Sequence, residues 1–282
     1  MSARDIHDHV LDGPHGPLRV RVYSPKSPSG HGLVWAHGGG FAGGDIDMAE
    51  ADAVARAFVD HGIAVVSVDY ALAPMTAEWS ARLGAEKRGG VHYPVPHDEM
   101  VSAFRWAATS DVASRGWAIG GASAGGNLAT GAALRLAHEG GVVPALAVLA
   151  YPTLQAVQAA PDPELRALLD GDPSADVFTP DFVRGMYENY LGSDPDTADV
   201  YAVPGTAEPT ALASFPPTIM VNDETDELRM SGEAFAGSLA TAGVEVDVVV
   251  EPGTTHGHLN RPEESAFAAT IDRFATRILQ LP

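Results

Sequence analysis

The sequence predicts an α/β fold, a mostly parallel sheet covered by helices on both faces. Three observations carry that expectation. β-like runs alternate with helix-length segments along most of the chain, the pattern of βαβ units. One run, Ile63–Val68, is almost continuously apolar, as expected of a strand buried on both faces. The chain has 282 residues, 45% hydrophobic and 19% charged, enough length and apolar content for one large core.

The elements follow in order. Ile6–Leu11 and Leu18–Tyr23 are β-like, and the turn residues Asp12-Gly13-Pro14 join them as a hairpin. Ser24–Gly32, rich in Pro, Ser and Gly, is a loop. Leu33–Ala36 is a short strand that runs into His37-Gly38-Gly39-Gly40. Ala49–Asp60 gathers Val54, Phe58 and Val59 on one side of a helix, with Gly62 past its end. After Ile63–Val68 come a helix at Asp98–Ala108, a short strand at Trp117–Gly120, a helix at Asn127–Glu139 and a strand at Ala145–Tyr151. Thr218–Asn222 is a strand, Ser231–Ala242 a helix, Val244–Val250 an alternating strand and Ala266–Leu281 the closing helix. Two stretches break the rhythm. Pro74–Pro96 is a long polar loop with a helix expected around Ala77–Lys87. Pro152–Thr210 has no clear strand, and so long a segment inside one domain is expected to be an inserted helical element or lid. Nothing divides the chain, so residues 1–282 read as a single domain with cap elements within 74–96 and 152–210.

Composition narrows the function. Seventeen Lys and Arg against 37 Asp and Glu give a net charge of −20. Such a surface repels phosphate backbones and anionic lipids, so neither nucleic acid nor membrane is expected as a partner. The absence of cysteine excludes disulfides, thiolate metal sites and a cysteine nucleophile. The opening MSARDIHDHV has no apolar core of signal-peptide length. The longest apolar stretch, Val142–Tyr151, contains Pro144 and is too short to span a bilayer, so a cytoplasmic location is expected. His7 with His9, and His256 with His258, lack a ligand constellation around them, so no metal or other cofactor is expected.

The chemistry concentrates in two glycine-rich motifs. Gly121-Ala122-Ser123-Ala124-Gly125 matches G-x-S-x-G and lies between a short strand and a helix. In that context the serine sits on a sharp strand-to-helix turn whose neighbours must be small, and the helix N-terminus favours negative charge beside it. His37-Gly38-Gly39-Gly40 also ends a strand, and its glycines let backbone N–H groups approach a ligand. A nucleophile of this kind is followed in the chain by an acid and then a histidine. Thr218–Asn222 is followed by Asp223, Glu224, Asp226 and Glu227, any of which could serve as the acid. Val244–Val250 leads to His256 and His258 as candidate bases.

HGGG, then Asp69-Tyr70-Ala71-Leu72-Ala73-Pro74, then Gly121-Ala122-Ser123-Ala124-Gly125-Gly126-Asn127, together resemble the hormone-sensitive-lipase-like family of α/β-hydrolases, from about Val20 to the C-terminus. The resemblance implies an eight-stranded, mostly parallel sheet with a helical cap, hydrolysis of carboxylic esters, a small-molecule ester substrate, and a homodimer as one assembly. It makes Ser123 the nucleophile. It selects Asp226, because Asp226-Glu227-Leu228-Arg229 is similar to the family's acid segment, and His256, because His256-Gly257 is similar to its His-Gly pair. It assigns the oxyanion hole to the N–H groups of Gly39, Gly40 and Ala124. His37 is expected to brace the glycine turn, and Tyr70, Tyr151 and Phe41 to pack in the core.

Two departures stand out. β-like sequence begins by Ile6, where the family carries N-terminal cap residues, and Pro74–Pro96 is longer than usual, so a reduced cap, an open pocket and short-chain acyl groups are expected. Ala122 precedes the serine where the family often has Asp. An amide hydrolase of arylformamidase type would use the same three side chains. A non-catalytic receptor, as in the related gibberellin receptors, would lack the histidine that His256 supplies.

Overall fold

Among the described residues, eight strands form one sheet in the order β1-β2-β4-β3-β5-β6-β7-β8. The computed structural model describes residues 5–282; residues 1–4, the start of the segment read above for a targeting signal, lie outside it. The strands are β1 (Asp5–Gly13), β2 (Gly16–Ser24), β3 (Gly32–Ala36), β4 (Ala64–Val68), β5 (Trp117–Ala122), β6 (Leu146–Ala150), β7 (Thr218–Thr225) and β8 (Val246–Thr255). β1 pairs with β2 and β2 with β4 antiparallel; every pair from β4 to β8 is parallel. The parallel strands β3 to β6 are buried along their whole length, as their apolar sequences demand.

Alternation along the strands sorts the core into two layers. Leu33, Trp35, Val65, Val148 and Val221 pack against Val54 and Phe58 of α1 (Ala49–Asp60) and Ile271 and Phe274 of α9 (Ser265–Ile278). Val34, Val66, Ile119, Leu149 and Met220 face the other way. They meet Phe104 of α3 (Val95–Thr109), Leu128 and Leu136 of α4 (Ala124–Glu139) and Phe235 of α8 (Arg229–Thr241). Among the described residues no helix is long and apolar enough to cross a membrane.

Several boundaries differ from the sequence reading, each for a local reason. α4 starts at Ala124, not Asn127, because Ser123 itself turns the chain and the two poor helix formers that follow are held by packing. α3 starts at Val95 rather than Asp98, since proline is tolerated in a first helical turn. β7 runs past Asn222 to Thr225 and β8 past Val250 to Thr255, because their pairing continues through a register shift between Asp223 and Thr225.

The two irregular stretches carry helices. The first holds α2 (Ala77–Leu83), capped by Thr76 and ended by Gly84 in the left-handed conformation, shorter than the span to Lys87. The second holds α5 (Pro163–Gly171), α6 (Pro180–Leu191) and the single turn α7 (Pro209–Leu212). α6 is anchored on its buried side. Tyr190 stacks on Phe41 at a ring separation of 4.0 Å, and the Tyr187 hydroxyl donates to the Thr153 carbonyl at 2.9 Å and accepts from Asn127 Nδ2 at 2.9 Å.

Candidate active site

Ser123 sits between β5 and α4 with φ 52° and ψ −119°, a left-handed conformation that an L residue adopts only under strain. Its N–H donates to the Ala150 carbonyl of the neighbouring strand at 2.9 Å. The glycines around it are required by close approach. A Cβ on Gly125 would lie 2.2 Å from the Ala36 carbonyl oxygen and 2.3 Å from that of His37. α4 therefore presses directly onto the loop after β3, and the N–H of Ala124, the first residue of α4, has no partner within its own helix.

That loop contains the second motif. Gly39 has φ 114°, and a Cβ there would meet the Gly43 carbonyl oxygen at 2.2 Å, so the turn closes only with glycine. Gly39 and Gly40 line one cavity with Ser123 and His256. His37 is buried beside the turn: its Nδ1 lies 2.7 Å from the Gly38 carbonyl oxygen and its ring stacks on Tyr70 at 4.5 Å. Burial lowers the proton affinity of this imidazole, so it serves as a neutral brace. Phe41, Tyr70 and Tyr151 are core residues and do not line the cavity.

Asp226 lies in the turn after β7 and His256 just after β8. Parallel pairing of these strands brings both to the same sheet end as Ser123. His256 Nε2 is 3.0 Å from Ser123 Oγ, and His256 Nδ1 is 2.7 Å from Asp226 Oδ2. An ionised carboxylate only accepts, so Nδ1 carries the proton and Nε2 is free to accept one from the serine. Asp226 is fully buried, and its Oδ1 accepts the Leu228 N–H at 2.9 Å, which fixes the carboxylate. Burial alone would lower the proton affinity of His256; the charge and hydrogen bond of Asp226, with the charges of Asp223 and Glu50, outweigh it and raise the imidazole above its ordinary value.

The competing candidates are engaged elsewhere. Asp223 Oδ2 accepts the Gly257 N–H at 2.9 Å and its other oxygen bonds His258 Nδ1. His258 is fully buried, with Nε2 2.9 Å from Thr270 Oγ1. This second Asp–His pair thus holds the backbone immediately after His256. Ligand atoms of Asp223, Asp226 and His256 lie within 4.8 Å of one another, and each carboxylate here accepts two N–H groups: Gly257 and His258 on Asp223, Leu228 and His256 on Asp226. Glu224 accepts the Gly253 N–H, and Glu227 is buried.

The cavity above Ser123 measures about 580 Å³. Trp79 of α2 and Phe182 and Met186 of α6 form apolar walls, and Phe178 lays its ring against His256 at 4.4 Å. Sequence reasoning missed Phe178, which carries no motif. It also missed Glu50, a buried carboxylate on the cavity wall that accepts the Gly38 N–H at 2.5 Å. A signal for Glu50 existed: it shares the i, i+4, i+8 spacing of Val54 and Phe58 and so lies on the buried face of α1.

Comparison with known proteins places this geometry among relatives. A family profile described as the alpha/beta hydrolase fold matches residues 33–260. A carboxylic ester hydrolase of Mycobacterium tuberculosis is 33% identical over 91% of this chain, which spans 65% of that protein's length. A carboxylesterase of the same species is 32% identical over 86% of this chain and 72% of its own. The solved structure of an esterase from Pyrobaculum calidifontis superposes with a TM-score of 0.80 at 29% identity, covering 98% of this chain and 84% of that one.

Proposed function

The chain belongs to the α/β-hydrolase family, and on that premise we propose that it hydrolyses carboxylic esters through an acyl-enzyme on Ser123. The observation that carries this reading is the 3.0 Å approach of His256 Nε2 to Ser123 Oγ, with His256 Nδ1 bound to Asp226. Relatives named carboxylic ester hydrolase and carboxylesterase support the ester as substrate class.

In this mechanism His256 takes the Ser123 proton as Oγ attacks the ester carbonyl. Asp226 keeps the productive tautomer and stabilises the imidazolium. The N–H groups of Gly39, Gly40 and Ala124 receive the oxyanion, with the N-terminal end of α4 favouring its charge. His256 then protonates the leaving alcohol, and water repeats the sequence on the acyl-enzyme. α2 and the 152–210 segment act as the lid, since Trp79, Phe178, Phe182 and Met186 give the cavity apolar walls, alongside the acidic residues Glu50 and Asp176. That surface suits an uncharged, short apolar acyl chain. The same reading includes a cytoplasmic setting and a homodimer formed through β8, the strand that ends the sheet with Val248 exposed.

The test compares wild type with Ser123→Ala on p-nitrophenyl esters and on matched amides, with fluorophosphonate labelling of both. Wild type should label and turn over esters faster than amides, and the variant should do neither. Wild-type turnover by Ser123→Ala ends the reading, and faster amide cleavage reassigns it to an amide hydrolase.

A further inference from the structure

Glu50 makes contacts that no step of the ester mechanism uses. It is the second residue of α1, it is 2% exposed, and its backbone carbonyl is held by Trp35 Nε1 at 2.8 Å. Its carboxylate receives three neutral donors from three separate parts of the chain. Oε2 accepts the Gly38 N–H at 2.5 Å, in the glycine loop. Oε1 accepts the Tyr151 hydroxyl at 2.7 Å, from the residue after β6, and Asn260 Nδ2 at 3.1 Å, four residues beyond His256. The Tyr151 oxygen in turn accepts the Leu259 N–H at 3.3 Å, and the Tyr151 ring stands edge-on between His256 and His258 at 5.1 and 5.2 Å.

We infer that Glu50 is a positioning residue of this site: its carboxylate clamps the glycine loop to the segment carrying His256, and so holds the oxyanion donors and the base in register across Ser123. The inference rests on the ester-hydrolase reading, and it adds to that reading a fourth side chain outside the three that do chemistry.

The reasoning is chemical as well as geometric. A carboxylate has no proton and about four lone-pair directions, so it accepts all three donors at once. The isosteric amide removes the charge and keeps one acceptor: with its oxygen on the Gly38 N–H, its NH₂ faces the Tyr151 hydroxyl and Asn260, which must rotate and flip to accept it. An aspartate keeps the charge but falls one methylene short. Gly38 is also tight in its own right, because a Cβ there would lie 2.6 Å from Glu50 Oε2 and 3.0 Å from Ser123 Cβ. A shift of the carboxylate is therefore passed directly to the loop beside the nucleophile. A displacement of about 1 Å at such a site costs about 10²-fold in rate.

The negative charge has a second consequence. Around His256 the titratable groups are Asp226 and Asp223 from the end of β7, Glu50 from α1, Tyr151 after β6 and His258 in the following turn. Glu50 in turn acts on His37, Tyr70 and Tyr151, with burial holding His37 neutral and both phenols protonated. Glu50 is thus one of three carboxylates whose charge favours the imidazolium of His256.

The experiment measures kcat, KM, the pH profile of kcat/KM and the unfolding temperature for Glu50→Gln, Glu50→Asp, Tyr151→Phe and Asn260→Ala, with Ser123→Ala alongside. Glu50→Gln should lose about 10²-fold in kcat with KM nearly unchanged, and its acid limb should move to lower pH. Glu50→Asp should recover part of kcat and keep the wild-type acid limb. Tyr151→Phe and Asn260→Ala, which retain the charge but each remove one tie, should lower kcat by less and leave the limb in place. A folded Glu50→Gln with wild-type kcat and acid limb overturns the inference. So does a loss of kcat that follows only the unfolding temperature, with the limb unmoved. If Glu50→Gln does not fold, unchanged kcat in both Glu50→Asp and Asn260→Ala overturns it. An active Ser123→Ala defeats the underlying ester reading instead, whatever the Glu50 variants do.

Discussion

Asp226→Asn separates the two aspartates near the end of β7 that residue types and chain order alone leave in competition. Asp226 is fully buried, so no water can replace a lost partner, and its two oxygens accept the Leu228 N–H at 2.9 Å and His256 Nδ1 at 2.7 Å. Asparagine keeps one acceptor. If its oxygen stays with Leu228, the NH₂ faces Nδ1 and forces the imidazole into the tautomer with the proton on Nε2, where it cannot take the serine proton. If the amide flips, the Leu228 N–H is left buried and opposed, at a cost of about 1–3 kcal/mol. The wrong tautomer avoids that cost and should prevail. In a Ser-His-Asp triad this state lowers kcat by about 10⁴, equivalent to about 5.5 kcal/mol of barrier. The barrier term thus exceeds the stability term, and a catalytic loss without unfolding is expected. The assay is steady-state hydrolysis of a p-nitrophenyl ester at neutral pH, with thermal unfolding of the same samples. Asp223→Asn is the control: it loosens His258 and the Gly257 N–H, so its unfolding temperature should fall and its kcat should drop far less. If Asp226→Asn stays within about tenfold of wild type in kcat while Asp223→Asn loses about 10⁴, the roles argued for the two residues are wrong.

Two more outcomes follow. Because Asp226, Asp223 and Glu50 raise His256 despite its burial, kcat/KM should be lost as pH falls through a value above the ordinary imidazole range of about 6.5, and be fully present above it; a pH profile whose acid midpoint lies below that range contradicts the electrostatic account. Tyr187→Phe removes a buried hydroxyl that ties α6 to Thr153 and Asn127, which should cost about 1–3 kcal/mol in denaturant or thermal unfolding with kcat little changed; unchanged stability would mean that the apolar packing of Phe41 and Tyr190 alone anchors the helix.

Local patterns in the chain carried much of this. Glycine spacing and the strand-to-helix context of Gly121–Gly125 located the serine turn, because only residues without side chains fit where α4 meets the loop after β3. Continuous apolar runs located β3 to β6, because a strand buried on both faces must be apolar throughout. Element ends were less legible. The start of α4 and the reach of β7 and β8 depend on packing and on pairing between distant segments, which override local propensity.

Residue types and order alone thus determined the layered sheet, the serine on its turn, and a short set of acids and histidines near the ends of two late strands. Motif resemblance singled out Asp226 and His256, and the tertiary structure shows which of these side chains meet. It paired Asp226 with His256 and Asp223 with His258, because strand register sets which side chains reach which partner. It also turned Glu50, one acid among 37 in the sequence, into the common acceptor of three donors. A hydrogen bond depends on distance in space, and separation along the chain does not encode it.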